Sequence, residues 1–208
     1  MKKVLNERDI EKLKIIADKW NLIEKRLKIT EKYRFEVDIP AINELRYAGR
    51  KIVDIIVLLH SEDYDNETEK TISDNIAHAE QYCMNSDHDL TDGICTFFNT
   101  KMERVINDYG YDNVCTYFPQ TSKIMVMLDE VKEVISISRE NRPQRVEAYK
   151  KLEEEFIPKF MAFHKQLVAS EKSMLLSKRT RERKDKILIF FAVIGIIVGI
   201  SGVLISIL

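Results

Sequence analysis

The residues able to do acid–base or metal chemistry are few and scattered. The chain has four histidines, His60, His78, His88 and His164. Imidazole titrates near neutral pH and binds metals through either ring nitrogen, so each is a candidate. His78 has Asp74 one turn before it on the same helical face, but Gln81 follows three places later, so no second carboxylate completes a cluster. His88-Asp89 is the only His-Asp dipeptide. A metal phosphohydrolase built on it needs further histidines and an aspartate, for which His60, His78 and Asp74 are the contributors. Solvated or capping histidines are the simpler expectation.

The stretch Asp87-His88-Asp89-Leu90-Thr91-Asp92-Gly93 has the outline of a calcium loop. Its glycine falls one place late, and Phe98 stands where the closing glutamate belongs, so that chemistry is rejected. Asp87, Asp89 and Asp92 are expected instead to cap and charge the start of a helix. Cys83, Cys95 and Cys115 are widely spaced with no C-x-x-C pair, which suits free thiols in a reducing compartment. No P-loop, dinucleotide fingerprint or nucleophile elbow occurs. The expectation is therefore no catalytic residue, no cofactor, no metal and no enzyme.

The elements that would position these residues read as helices. At 208 residues the chain suits one compact domain plus a further segment. Its 33 Lys and Arg against 34 Asp and Glu argue against general nucleic-acid binding. Six glycines and four prolines fit long helices with short turns. The first residues, MKKVLNERDIEKLKII, have charges interrupting every apolar run and do not form a signal peptide.

A first helix is expected over 6–29, capped by Asn6, with Ile10, Leu13, Ile16, Trp20, Ile23 and Leu27 at spacings of three and four. Residues 33–39 alternate strictly and read as an extended connection. A second helix starts at Pro40 and runs to His60; it is apolar nearly all round from Lys51, which marks a central helix. A third covers 67–84, a connection 85–89, a fourth 90–109 closed by Gly110, and a fifth 121–139. A sixth starts at about Pro143 and carries Pro158, where a kink is expected. The fold class is all-α: an antiparallel bundle of about five or six helices, with a C-terminal single-pass transmembrane helix. The domains are a cytosolic bundle 1–177, a basic juxtamembrane segment 178–186 and a transmembrane helix 187–208.

The last segment reads ILIFFAVIGIIVGISGVLISIL, with no charged residue. As a helix it spans roughly 33 Å, the thickness of a hydrocarbon core. Lys178, Arg179, Arg181, Arg183, Lys184 and Lys186 precede it, diluted by Glu182 and Asp185. This collar places the bundle in the cytoplasm and attracts anionic lipid headgroups. Ala192, Gly195, Gly199, Gly202 and Ser206 fall within an arc of about 80°, a stripe of small residues suited to helix pairing. Between Lys159 and Ile194 there is no glycine or proline, so the sixth helix can run unbroken into the apolar segment.

The second helix, Asn43-Glu44-Leu45-Arg46-Tyr47-Ala48-Gly49-Arg50-Lys51-Ile52-Val53-Asp54, is followed by an acidic turn and further amphipathic helices. These carry Ile76-Ala77-His78-Ala79 and Thr100-Lys101-Met102-Glu103-Arg104-Val105-Ile106. Over roughly 40–140 this resembles the helical bundle of the HEPN superfamily, including membrane-bound HEPN-like accessory proteins of RNA-targeting CRISPR systems. RNA-cleaving members carry an arginine, four to six residues, then a histidine; here nine residues separate Arg50 from His60. The resemblance therefore implies a non-catalytic, membrane-bound relative acting in antiviral defence.

The resulting expectation is a tail-anchored, self-associating protein of a bacterial inner membrane that alters membrane integrity or permeability. Its partners would be membrane lipids, further copies of itself, and a protein or nucleotide signal at the bundle. A passive membrane adaptor is the alternative. A HEPN-like ribonuclease, or a metal phosphohydrolase using His60, His78, Asp74 and His88, is a second.

Overall fold

The computed structural model describes residues 5–34, 36–61 and 64–207, with side chains over the same ranges apart from 34, 142 and 197–207. All regular structure among them is helical. The order is α1 (Glu7–Arg34), α2 (Ile39–Leu59), α3 (Asn66–Tyr109), α4 (Tyr111–Tyr117), α5 (Thr121–Glu140), a 3₁₀ turn (Arg142–Gln144), α6 (Arg145–Lys151), a π turn (Leu152–Phe156) and α7 (Ile157–Ile207). The chain forms two compact units, Met1–Phe97 with Val131–Ile157, and Phe98–Glu130 with Pro158–Leu208.

In the first unit, Asn6 caps α1 as its sequence suggests. Its Oδ1 accepts from the Asp9 amide at 2.8 Å and its Nδ2 donates to the Asp9 carboxylate at 2.9 Å. Asp38 caps α2, and Pro40 occupies the first turn, where a missing N–H costs nothing. Trp20 lies along Gly49, so close that a Cβ there would stand 3.2 Å from the indole. The pairings between α2 and α3 fall along one as they rise along the other: the Ser86 hydroxyl donates to the Ala41 carbonyl, Asn85 to Glu44, and Lys51 to Asn75. Those helices are antiparallel. Between α1 and α3, Lys19 meets Glu80 and Arg26 meets Asp87 at the same offset, so that pair is parallel.

Three expectations change here. Tyr33 and Arg34 belong to α1 and Ile39 opens α2, so the alternating 33–39 segment is not one extended run. Residues 85–89 are not a connection: α3 continues through them, because Asn85, Ser86 and Asp87 each find a partner on α1 or α2. Those tertiary bonds outweigh the weak helix preference of Asn, Ser and Asp. Asp87, Asp89 and Asp92 therefore sit mid-helix and cap nothing. Finally, α2 is not central. Ala41, Leu45, Ala48 and Ile55 are buried, but Val53, Ile56 and Val57 are 49%, 52% and 63% exposed.

The second unit packs Phe98 on Phe160 with ring centroids 5.3 Å apart, and Phe118 edge-on to Phe163 at 4.3 Å. Met102, Val105, Leu167 and Met174 are buried with them. Gly110, at φ +81°, ends α3 in a conformation other residues rarely adopt. Pro158 stands in the first turn of α7, and the helical hydrogen bonding is irregular one turn earlier. The Ile157 amide bonds to the Leu152 carbonyl, five residues back, and this π turn absorbs the proline's missing donor and ring clash.

The expected break-free helix from Lys159 to Ile194 is present: α7 runs 51 residues without interruption. Its described side chains beyond Thr180 are all exposed. Among the described residues no helix is long and apolar enough to cross a membrane. The apolar run 187–208 has described side chains only as far as Ile196.

Candidate functional site

The densest arrangement of ionisable groups lies in the first unit, around Arg26. This residue points from α1 between α3 and the π turn. Its guanidinium pairs with the Asp87 carboxylate and with Glu153 at 3.0 Å, and donates to the Thr91 hydroxyl at 2.8 Å. Thr91 in turn donates to Glu153 at 3.1 Å. Asp87 and Glu153 thus face one cation between them. The side chains of Arg26, Asp87 and Glu153 are only 17%, 27% and 27% exposed. Burial pushes Asp87 up to about 6, against the pull of Arg26 and with the Glu153 charge adding to the rise. The node therefore binds or releases one proton just below neutral pH.

One turn on, Asp92 accepts from the Tyr149 hydroxyl at 2.9 Å and from Arg139 at 3.0 Å. The Tyr149 ring stacks on His88 with centroids 3.9 Å apart. Burial holds His88 below its ordinary value, with Arg145 acting in the same direction, so the ring is neutral at pH 7. Burial raises Tyr149, and Asp92 raises it further. Asp89 is raised by burial and then by Glu44, Asp92 and Asp38. His88 and Tyr149 line two hollows. One, of about 180 Å³, is lined by Leu22, Met84, Asp87 and Glu153; the other, of about 280 Å³, by Glu44, Asp89, Arg139 and Arg145.

The other histidines take simpler places. His60 ends α2, its Nδ1 2.8 Å from the Ile56 carbonyl. His78 and Asp74 are exposed on α3. His164 lies edge-on to Phe98, lowered by burial and by Lys101. His60, His78 and His88 therefore do not share a site. Among the described residues no group of three or more His, Cys, Asp and Glu is placed to hold a metal. Burial lifts the Cys83 thiol to about 11 and Cys95 to about 12, which leaves both protonated and unreactive. What the node can do is hold a proton and a fixed charge pattern where α1, α3 and the π turn meet.

In the second unit, the collar residue Lys178 is engaged. Its Nζ donates to the Asp108 carbonyl at 2.5 Å, at the negative end of α3. Lys178→Met is expected to cost about 1 kcal/mol in thermal unfolding. Arg179→Met should leave the melting temperature unchanged. Asn113 donates to the Met174 carbonyl, and Lys101 pairs with Glu171 at 3.2 Å, so α7 is held to α3 and α4 along several turns. Arg179, Arg181, Arg183, Lys184 and Lys186 are exposed. Ala192 and Gly195 are exposed too, and a Cβ on Gly195 would meet nothing within 4 Å. Gly199, Gly202 and Ser206 lie outside the residues whose side chains are described.

The sequence reading missed Arg26 and Glu153. Neither belongs to a motif, and the only trace of the node is an arginine on the first helix and acidic residues at 87 and 153. No family model matches the chain, and neither a curated protein nor a solved structure matches it.

Proposed function

We propose that the protein is a self-associating membrane effector, held through 187–208, whose helical bundle controls the membrane segment through α7. One observation carries this. A single helix passes from the buried residues Phe160, Phe163, Leu167 and Met174, through five exposed cations, into an apolar stretch whose described side chains, 187–196, are all exposed. Ile187, Leu188, Ile189, Phe190 and Phe191 are each more than half exposed, and water is a poor solvent for such a surface. Lipid is the solvent that suits it, with the cations at the cytoplasmic headgroups. The likeness to membrane-bound HEPN-like proteins supports antiviral defence as the setting and a change of membrane permeability as the output.

The test is induced expression with membrane fractionation and a membrane-potential dye. The protein should fractionate with membranes and resist extraction by carbonate, and the potential should fall. Recovery in the soluble fraction would overturn the proposal. Gly195→Leu separates assembly from insertion, since the chain itself has room for the new side chain. It should leave fractionation intact, reduce the oligomer size in nanodiscs and abolish the loss of potential. An unchanged oligomer would mean that the small residues are only composition.

A further inference from the structure

We propose that the solvent face of α2 is a two-fold contact between copies of this chain. The inference rests on the self-association proposed above and names the cytosolic surface that takes part. Val53, Val57, Arg50 and Asp54 lie within an arc of about 100° on α2, which also holds Arg46, engaged over the Tyr47 ring at 5.2 Å. Val53 and Val57 are 49% and 63% exposed, and Tyr47 on the same side is 45% exposed. Beside them an apolar groove of about 460 Å³ runs between α1 and α2, lined by Leu13, Trp20 and Ile56 among others. An apolar surface of this extent on a charged protein marks an interaction site.

The charges on this face identify the partner. Arg50 and Asp54 carry opposite signs one turn apart, and the Arg50 Nε–Asp54 Oδ1 distance is 3.1 Å. The Arg50 side chain is 74% exposed, with the rest of its guanidinium fork open. In an isologous contact, residue i of one copy meets residue j of the other and the reverse holds too. An antiparallel crossing of two α2 helices, with the axis between 50 and 54, lays each Arg50 on the other copy's Asp54. It also sets Val57 over Tyr47 twice and brings Val53 beside its own copy near the axis. A partner of one charge sign could satisfy only half of that pattern. The face is smaller than the roughly 20–30 residues a side of a stable soluble interface. Confinement to a membrane supplies the missing effective concentration.

The experiment uses the full chain in nanodiscs. Val53→Cys, in a Cys115→Ser background that leaves only the buried native thiols, should form a disulfide-linked homodimer when a mild added oxidant takes up the two electrons. Arg50→Asp puts two acids on the face and Asp54→Arg two bases. Each alone should cut the cross-link yield several-fold, and mixing the two chains should restore it. A role confined to one chain cannot produce that rescue. A mixture as poor as the single variants overturns the inference, as does a Val53→Cys adduct with lipid or another protein and no homodimer. If the chains associate but Val53 does not cross-link, only the α2 contact falls. If they remain single copies, the proposed self-association falls with it.

Discussion

Arg26→Met is expected to cost about 3–5 kcal/mol at pH 7.5, read from denaturant unfolding of the detergent-solubilised protein. The substitution keeps most of the packing volume and removes the one cation between Asp87 and Glu153. Two carboxylates are then left partly buried and facing each other. The loss should shrink at pH 5, and the sign follows from Asp87. Its value rises from the ordinary 3.8 to about 6 on folding, so the folded chain holds a proton that the unfolded chain has released. The stability this group contributes is greatest below 3.8 and is lost as pH rises through about 6. Without Arg26 the value climbs further, and the deficit concentrates at neutral pH. Asp87→Asn alone should raise stability at pH 7.5 and change little at pH 4.5. Added to Arg26→Met, it should recover part of the loss. A cost for Arg26→Met that is equal at pH 5 and 7.5 would assign the effect to packing instead of charge.

Thr180→Pro should abolish the loss of membrane potential while leaving the protein in the membrane. Residue 180 is exposed on α7, where its hydroxyl bonds only to the Leu176 carbonyl of its own helix. Proline removes one backbone bond, clashes with the preceding turn and costs about 3 kcal/mol in a helix interior. Thr180 belongs to the second unit, and the melting transition of the first unit should be unchanged. Full loss of potential in Thr180→Pro would overturn control through a continuous α7, since the bundle would then act through a mere tether. Thr180→Ala is the control, since it alters the side chain and keeps the helix.

The helical class, the cap at Asn6, the place of Pro40 at the start of α2 and the unbroken α7 were legible because each depends on neighbours in sequence. A cap needs a residue three places away; a helix without glycine or proline declares itself. The fusion of the third and fourth helices was not legible. Asn85-Ser86-Asp87 has the composition of a loop, and only bonds to Glu44, Ala41 and Arg26, 41 to 61 residues away, hold it helical. The charge node is hidden for the same reason. The bond from Tyr149 to Asp92, for instance, joins residues 57 apart. The exposure of α2 ran against its composition: a helix apolar nearly all round from Lys51 reads as central, and this one leaves one side open.

The phase of α7 links its packed part to its apolar part. Ala192 stands about five full turns beyond Met174, so the first of the small residues lies on the side of the helix that the second unit packs against. Under the proposed self-association, copies that draw together through that side would bring their second units together as well. Helix pairing and packing of those units would then be one event, and a signal that changed the fit between neighbouring copies would need no separate gate.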